Sequence, residues 1–457
     1  MDDFGDFLAG LRGQIERCAA EAHPERGKKV ARPRSTMRLA AVVAACLAAA
    51  AIALALVVWS PGRGTAPTPR SGGTAAIMLA PATHSLSSSS AQLRDRGELF
   101  APAMAGPPEP GYNLLDVTAR AEDDIWAVGF LTTVTPGSAT TSSVLLHWDG
   151  SAWRQVRTPE VGGVRAIAVD AEGGAWALAW GSPPEARQHM LHWDGHAWTD
   201  SVLPAGAGLM ADVCAVAPDD VWAVGSKTDP MVTRGKYSWN PEHVRLAHWD
   251  GTAWTTVAAP AGARRGFLTS VSGTGPADVW AVGRRDLRGG KAAGPLALHW
   301  DGTAWTRVPG ILGGAPWLVT VATLSPTDVW TGGEKLLQRW DGGVWRSAPH
   351  DFSVYAQLSG ASSTSMWLAT QNRGVVAWDG RGWRSFSLRD MRLKSTGTRA
   401  TVNAVAAVSA RDVWAVGQIW SRSHRSGSAW SWEPAMPLIV HWDGSCWSTV
   451  VDSVSSR

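Results

Sequence analysis

Five histidines, His147, His192, His248, His299 and His441, each open the phrase H-W-D-G, so an imidazole and a carboxylate recur two residues apart. That pairing is metal-binding chemistry, but ligand bonds are only ~2 Å long and each pair belongs to a separate copy of the phrase. Packing is expected of the histidines and turn formation of the aspartates. No phosphate loop, H-E-x-x-H or G-x-S-x-G occurs, so no catalytic residue, metal site or cofactor is expected. A second set of residues suits binding. Arg284, Arg285, Arg288, Lys291, Tyr237, Trp239, Trp420, Trp430 and Trp432 lie outside the repeated phrase. Arginine and aromatic side chains with charge of one sign mark a recognition surface, here for an anionic partner.

The elements that must position these residues come from a repeat. The phrase D-V-W-A-V-G, a variable gap, then L-x-H-W-D-G-x-A-W occurs seven times, and it accounts for twenty-one of the 28 tryptophans. Its first tryptophans are Trp126, Trp176, Trp222, Trp280, Trp330, Trp367 and Trp414. Their separations, roughly 40–60 residues, suit four-stranded propeller blades. Short runs of Val, Leu, Thr and Trp between Gly, Pro and Asp read as strands. The expected fold is all-β, a seven-bladed β-propeller over residues 111–450, with a tail at 451–457.

In the fourth copy, Asp301-Gly302 predicts a tight two-residue hairpin that pairs Trp300 with Thr303 and Leu298 with Trp305. Leu298, Trp300 and Trp305 then share a face, and a Trp-heavy face is expected to pack on an Ala-rich one. Asp220, Asp278, Asp328 and Asp412, just before the second strand, are expected to bond their own turn. Copies 2 and 6 depart from the phrase at Gly174-Ala175 and Thr370 but keep W-D-G.

The phrase resembles the kelch-type and sialidase-type (Asp-box) repeats of bacterial β-propellers. D-G-T-A-W looks like a shortened Asp-box, and only Gly332-Gly333 approximates the kelch Gly pair. Those families mix enzymes with binding modules. A kelch-like copper oxidase implies a Tyr/His/Cys cluster, yet the tyrosines are Tyr112, Tyr237 and Tyr355 and none adjoins Cys214. Sialidase-like chemistry implies a tyrosine nucleophile beside three arginines, and no matching motif surrounds Tyr237.

Residues 39–59, from Leu39 to Trp59, carry no charge and are long enough to cross a bilayer as a helix. Arg26, Lys28, Lys29, Arg32, Arg34 and Arg38 precede them, which puts the N-terminus in the cytoplasm and the propeller outside the cell membrane. A lipoprotein reading through Cys46 and a cleaved signal peptide are the rivals to an uncleaved anchor. Residues 60–110 have the Pro, Gly, Ser and Thr composition of a flexible linker. Residues 1–38 form a cytoplasmic segment, in which Phe4, Phe7, Leu8, Leu11 and Ile15 recur at helical spacing. An amphipathic helix over residues 1–25 is either a marginal surface element or a docking site for a cytoplasmic partner.

Arg outnumbers Lys, and Ala and Gly abound, as in a GC-rich bacterium. Net charge is +3, and no nucleic-acid partner is expected. Of the four cysteines, Cys214 and Cys446 fall in different blades, too far apart for a disulfide. The function expected is non-catalytic binding at the bacterial envelope to an anionic glycan, wall polymer or protein. A transmembrane sensor, or a glycan-active envelope enzyme, is the alternative.

Overall fold

A computed structural model describes residues 111–450 apart from 136–137, 182–186, 235–236, 287–291, 312–316, 371–373, 389, 392–398, 421–424, 427–428 and 431–435. The expected helix of residues 1–25, the span 39–59, the linker 60–110 and the tail 451–457 lie outside the described residues. Among the described residues no helix is long and apolar enough to cross a membrane.

Seven four-stranded antiparallel sheets follow one another, each pairing its strands A, B, C and D in order. Blade 1 consists of Gly111–Ala121, Asp124–Thr135, Ser138–Trp148 and Trp153–Gln155. Blade 4 consists of Gly266–Gly275, Asp278–Asp286, Ala292–Trp300 and Trp305–Arg307. Blade 7 consists of Arg399–Ser409, Asp412–Trp420, Met436–Trp442 and Trp447–Thr449. The A strands of blades 2, 3, 5 and 6 are Gly163–Val169, Leu209–Ala217, Thr320–Ser325 and Leu358–Ser362. Strand A touches strand A of both neighbours all the way round, so it lines the axis. The chain is a seven-bladed β-propeller.

Tryptophan holds neighbouring blades together. In strand B of blade 4, Trp280 points into blade 5 and packs on Trp340 and Trp345, with ring centroids 5.7 Å away in both cases. Trp300 and Trp305 of the same blade point the other way and meet Trp222 of blade 3 at 4.9 and 5.1 Å. The expected contrast of a Trp face with an Ala face is therefore corrected. Each seam holds three tryptophans, one from strand B of the leading blade and two from strands C and D of the next. The strand D rings stand edge-on, at 84° for Trp222–Trp305 and 85° for Trp280–Trp345, which sets a positive ring edge against a negative face.

The last seam is built like the others. Trp414 of blade 7 packs on Trp148 at 5.1 Å and on Trp153 at 5.3 Å in blade 1. The Asn403 amide also donates to the Asn113 side-chain oxygen at 2.9 Å and to the Leu114 carbonyl at 2.7 Å. Among the described residues the ring thus closes by packing, each of the two end blades drawing its four strands from its own stretch of chain.

The W-D-G turn is longer than its sequence suggests. Trp300 pairs directly with Trp305, and Leu298 with Arg307, so four residues, Asp301 to Ala304, make the loop. The cause is the Asp301 carboxylate, whose Oδ1 accepts the N–H groups of Thr303 at 2.8 Å and Ala304 at 2.9 Å. Such local capping satisfies a wider turn than the two-residue hairpin. Only Gly302 takes a positive φ, 90°, and a Cβ there would stand 3.0 Å from Ala277 in the A–B turn. The two turns of the blade pack together on one rim.

A second glycine explains the end of D-V-W-A-V-G. Strand A of blade 4 carries a bulge between Leu268 and Ser270 opposite Gly283. This presses the Phe267 carbonyl to 2.1 Å from where a Gly283 Cβ would stand, leaving no room for a side chain.

The aspartates before strand B reach sideways across the sheet and do not bond their own turn as expected. Asp278 Oδ1 receives the Trp280 indole N–H at 2.9 Å and bonds His299 Nε2 at 3.0 Å. Asp220 and Asp412 bond His248 and His441 in the same way at 2.8 and 2.7 Å. In blade 5, Arg339 takes the histidine's place on Asp328 at 2.6 Å and lies over Trp330. Burial works against ionisation of Asp278, but bonds from His299, Thr274 and Trp280 outweigh it and hold its pKa below the ordinary value. The histidines also stack on the first tryptophan, His192 on Trp176 at 4.1 Å. Their work is packing.

Candidate functional site

Strand B leaves the W-D-G rim and ends on the opposite one, where the B–C connections and the D–A connectors lie. Blade 1 prolongs strands B and C there until Thr135 faces Ser138. Blade 3 adds a two-stranded ribbon, Val232–Arg234 with Tyr237–Trp239, and blade 7 adds Arg425–Ser426 with Ala429–Trp430. Tyr237, Trp239 and Trp430 therefore sit on these ribbons. Trp420 ends strand B of blade 7, paired with Arg399. Arg288, Lys291 and Trp432 lie outside the described residues.

The sequence-derived residues thus form two groups, on blades 3 and 4 and on blade 7, three blades apart in either direction. Among them, Arg284 and Arg285 have described side chains. Arg284 Nε bonds Asp286 Oδ1 at 2.8 Å, its Nη2 bonds Glu242 Oε2 at 3.0 Å, and its guanidinium lies 4.6 Å over the Phe267 ring. Burial raises the Glu242 pKa, and Asp286 adds to this while Arg284 opposes it. Arg284 is committed to this cluster. Arg285 follows it with a buried Nε that has no hydrogen-bond partner.

Further cations stand on this rim beside the acids Asp200, Asp229, Glu242 and Asp286. Arg264 and Arg265, in the connector from blade 3 to blade 4, are exposed, and among the described residues neither side chain has an ion pair. Arg187 and Arg245 lie at the same level in blades 2 and 3. The opposite rim carries the turn aspartates Asp149, Asp194, Asp250, Asp301, Asp341, Asp379 and Asp443.

Sequence reasoning missed a polar belt on the axis. Asp116 accepts the N–H of Val117 at 2.8 Å and of Ile167 in blade 2 at 2.9 Å. Asp212 does the same for Val213 and for Val271 of blade 4, both at 2.9 Å. Ser270, Thr320 and Gln357 accept the corresponding N–H groups of Val321, Leu358 and Val405. These bonds stitch the inner strands together.

Burial pushes the Asp116 carboxyl up to about 7, the Asp212 charge adds to this, and the bonds from Ile167, Val117 and Gln357 oppose it. Burial raises the Asp212 pKa as well. Between them, Arg165 is exposed, yet burial lowers its pKa while Asp212 raises it. Both hold for a side chain that meets water inside a channel walled by protein. The one signal in sequence was a charge inside an apolar run, as in L-L-D-V and V-R-A-I.

Among the described residues no group of three or more His, Cys, Asp or Glu side chains could hold a metal. Cys214 and Cys446 are not joined in a disulfide.

No family model and no curated protein matches the chain. Solved structures of limited likeness include YCF48 bound to D1 peptide, with 13% identity, 70% of this chain and 99% of that one covered, and a TM-score of 0.46. YCF48 from Cyanidioschyzon merolae shares 14% identity over 68% of this chain and 94% of its own, with a TM-score of 0.44. The acylaminoacyl peptidase of Pyrococcus horikoshii shares 11% identity over 75% of this chain and 52% of its own, with a TM-score of 0.48. Likenesses of this extent say nothing of what the chain does. The fold is one suited to binding or scaffolding, and it rests on its own seven sheets.

Proposed function

We propose that the protein is a non-catalytic binding module of the bacterial envelope, held to the cell membrane by residues 39–59 with its propeller outside. It binds an anionic glycan, wall polymer or protein through the rim of B–C connections and D–A connectors. The observation that carries this reading is a pair of exposed cations on that rim, Arg264 and Arg265, with no ion pair among the described residues. Arg187 and Arg284 are paired there, with Asp200 and with Glu242 and Asp286, and on the opposite rim Arg154 and Arg346 are paired with turn aspartates. Unpaired charge raises the local concentration of opposite charge, and connections on a rigid scaffold commonly carry binding.

The test is retention of the purified protein on isolated envelopes. Added salt should release it, since exposed charges are screened over about 8–10 Å at moderate ionic strength. Replacing Arg285, Arg288 and Lys291 by Ser should weaken retention. Indifference to both would leave the cationic rim as solvated surface. The topology is checked separately: a reporter fused after Arg457 should be active outside the membrane, and the chain should keep Met1.

A further inference from the structure

Two grooves open on the cationic rim, on either side of the connector that leads from blade 2 to blade 3. One holds about 280 Å³ and is lined by His189, Asp200, Val202 and Leu209. The other holds about 450 Å³ and is lined by His243, Arg245, Val257 and Arg264. Gly206 borders both, so together they make one track across the flank of blade 3.

The floor of this track is fixed. Gln188 bonds the Met210 backbone twice, donating at 2.8 Å and accepting at 2.6 Å. Arg245 Nε donates to the Gly206 carbonyl at 3.1 Å. The acids of the track face histidines, Asp200 with His189 at 2.8 Å and Asp229 with His243 at 2.9 Å. Arg264 and its neighbour Arg265 remain exposed, with no side-chain partner among the described residues. Aliphatic side chains are exposed along the other groove, where Val202 is 69% accessible and Leu209 44%. Exposed aliphatic groups and unpaired guanidinium groups along one track make a surface short of a partner.

We infer that this track binds an extended segment of a partner protein in which acidic and aliphatic side chains alternate. Successive side chains of an extended strand point to opposite sides. Its carboxylates would then meet Arg264 and Arg265 while its aliphatic groups cover Val202 and Leu209, the mode by which extended peptides add to sheet edges and grooves. The lining argues for peptide over glycan. Neither groove contains Trp, Tyr or Phe, the flat apolar faces on which sugar rings would stack. The inference rests on the anionic-partner reading above, but it moves the contact from blade 4 to the flank of blade 3.

The test uses the full chain in detergent and, as probe, a fluorescein-labelled peptide of alternating Glu and Val, read by anisotropy. Saturable binding is expected. It should weaken about tenfold or more in Arg264→Ser/Arg265→Ser and likewise in Val202→Ser/Leu209→Ser, a loss of about 1.4 kcal/mol or more for each pair. All four side chains are exposed, so the thermal melt should stay in place in both variants. The Arg154→Ser variant, on the W-D-G rim, should bind the probe as the parent does. No saturable binding, or binding unmoved by either pair, overturns the inference. So does dextran sulfate binding that displaces the peptide and ignores Val202→Ser/Leu209→Ser, which marks a polyanion site. If Arg285→Ser/Arg288→Ser/Lys291→Ser alone loses both the peptide and the envelopes, the track is refuted and the rim reading stands. If nothing binds and salt releases nothing, both fall.

Discussion

On the W-D-G rim, seven aspartates each sit in a turn of their own making, and every one has its pKa held below the ordinary carboxylate value. The turn's own hydrogen bonds are the common cause, joined by Arg154 at Asp149 and Arg346 at Asp341, and at Asp443 burial opposes them and is outweighed. Asp250 and Asp301 are lowered to about 2. On the axis and the opposite rim nothing repeats. Asp116 is raised to about 7, Arg284 is locked between two acids, and Arg264 and Arg265 have no side-chain partner among the described residues. Blades that are interchangeable at one end differ at the other. The repeated end serves the fold, and the end that varies from blade to blade is the one free to have been shaped by a partner.

The largest effect that can break this contrast lies in the seams. Trp280→Ala should cost about 3–5 kcal/mol in denaturant unfolding, because the indole is buried between blades and bonded to Asp278. A loss of under about 1 kcal/mol would mean that the repeated tryptophans do not hold the ring.

The axial belt should show next, through pH. The Asp116 pKa is raised from 3.8 to about 7 in the folded chain. Folding therefore gains from its proton at low pH, and that gain is lost as pH rises from the unfolded value towards the folded one. The change is on the order of 4 kcal/mol. Asp116→Asn should flatten the pH dependence of Tm across that window. The turn aspartates act with the opposite sign. Their pKa values are lowered, so their contribution is present above about pH 4 and fades as pH falls. A parent protein whose Tm does not decline between mildly acidic and neutral pH would contradict the raised carboxyl.

Arg284→Ser should destabilise by about 1–2 kcal/mol, since it strands Asp286 and Glu242 in a part-buried site. Replacing exposed Arg264 should stay within about 0.5 kcal/mol. Equal effects from the two would remove the distinction between structural and free cations on the rim. Gly302→Ala should cost about 1 kcal/mol in denaturant unfolding for forcing a Cβ into positive φ.

How much of this was legible follows from what repeats. Seven copies of W-D-G, each preceded by the first tryptophan of its phrase, announced seven blades, because one residue type at one position in every copy needs only one explanation. The turn length escaped because Asp301 acts through its side chain, two and three residues ahead, which Asp-Gly alone does not reveal. Asp278 was read as a local cap because its partner, His299, lies across the sheet and is brought near only by the B–C pairing. The axial belt escaped for a different reason. Its positions carry Asp116, Asp212, Ser270, Thr320 and Gln357, so no one residue type marks them, and the bulge in strand A hides the register. Trp239 and Trp430 were grouped with Arg284 and Arg285 as one recognition surface, and nothing in the sequence showed that their strands belong to blades 3 and 7.

The central claim is that one rim, and not the other, meets the partner. Hydrogen–deuterium exchange of the full chain with and without isolated envelope tests it most directly. Protection should appear in the connections of blades 3 and 4 and in the connectors holding Gly206 and Arg264, while the W-D-G turns exchange as in the free protein. Protection of the W-D-G turns, with the connections unchanged, would contradict it.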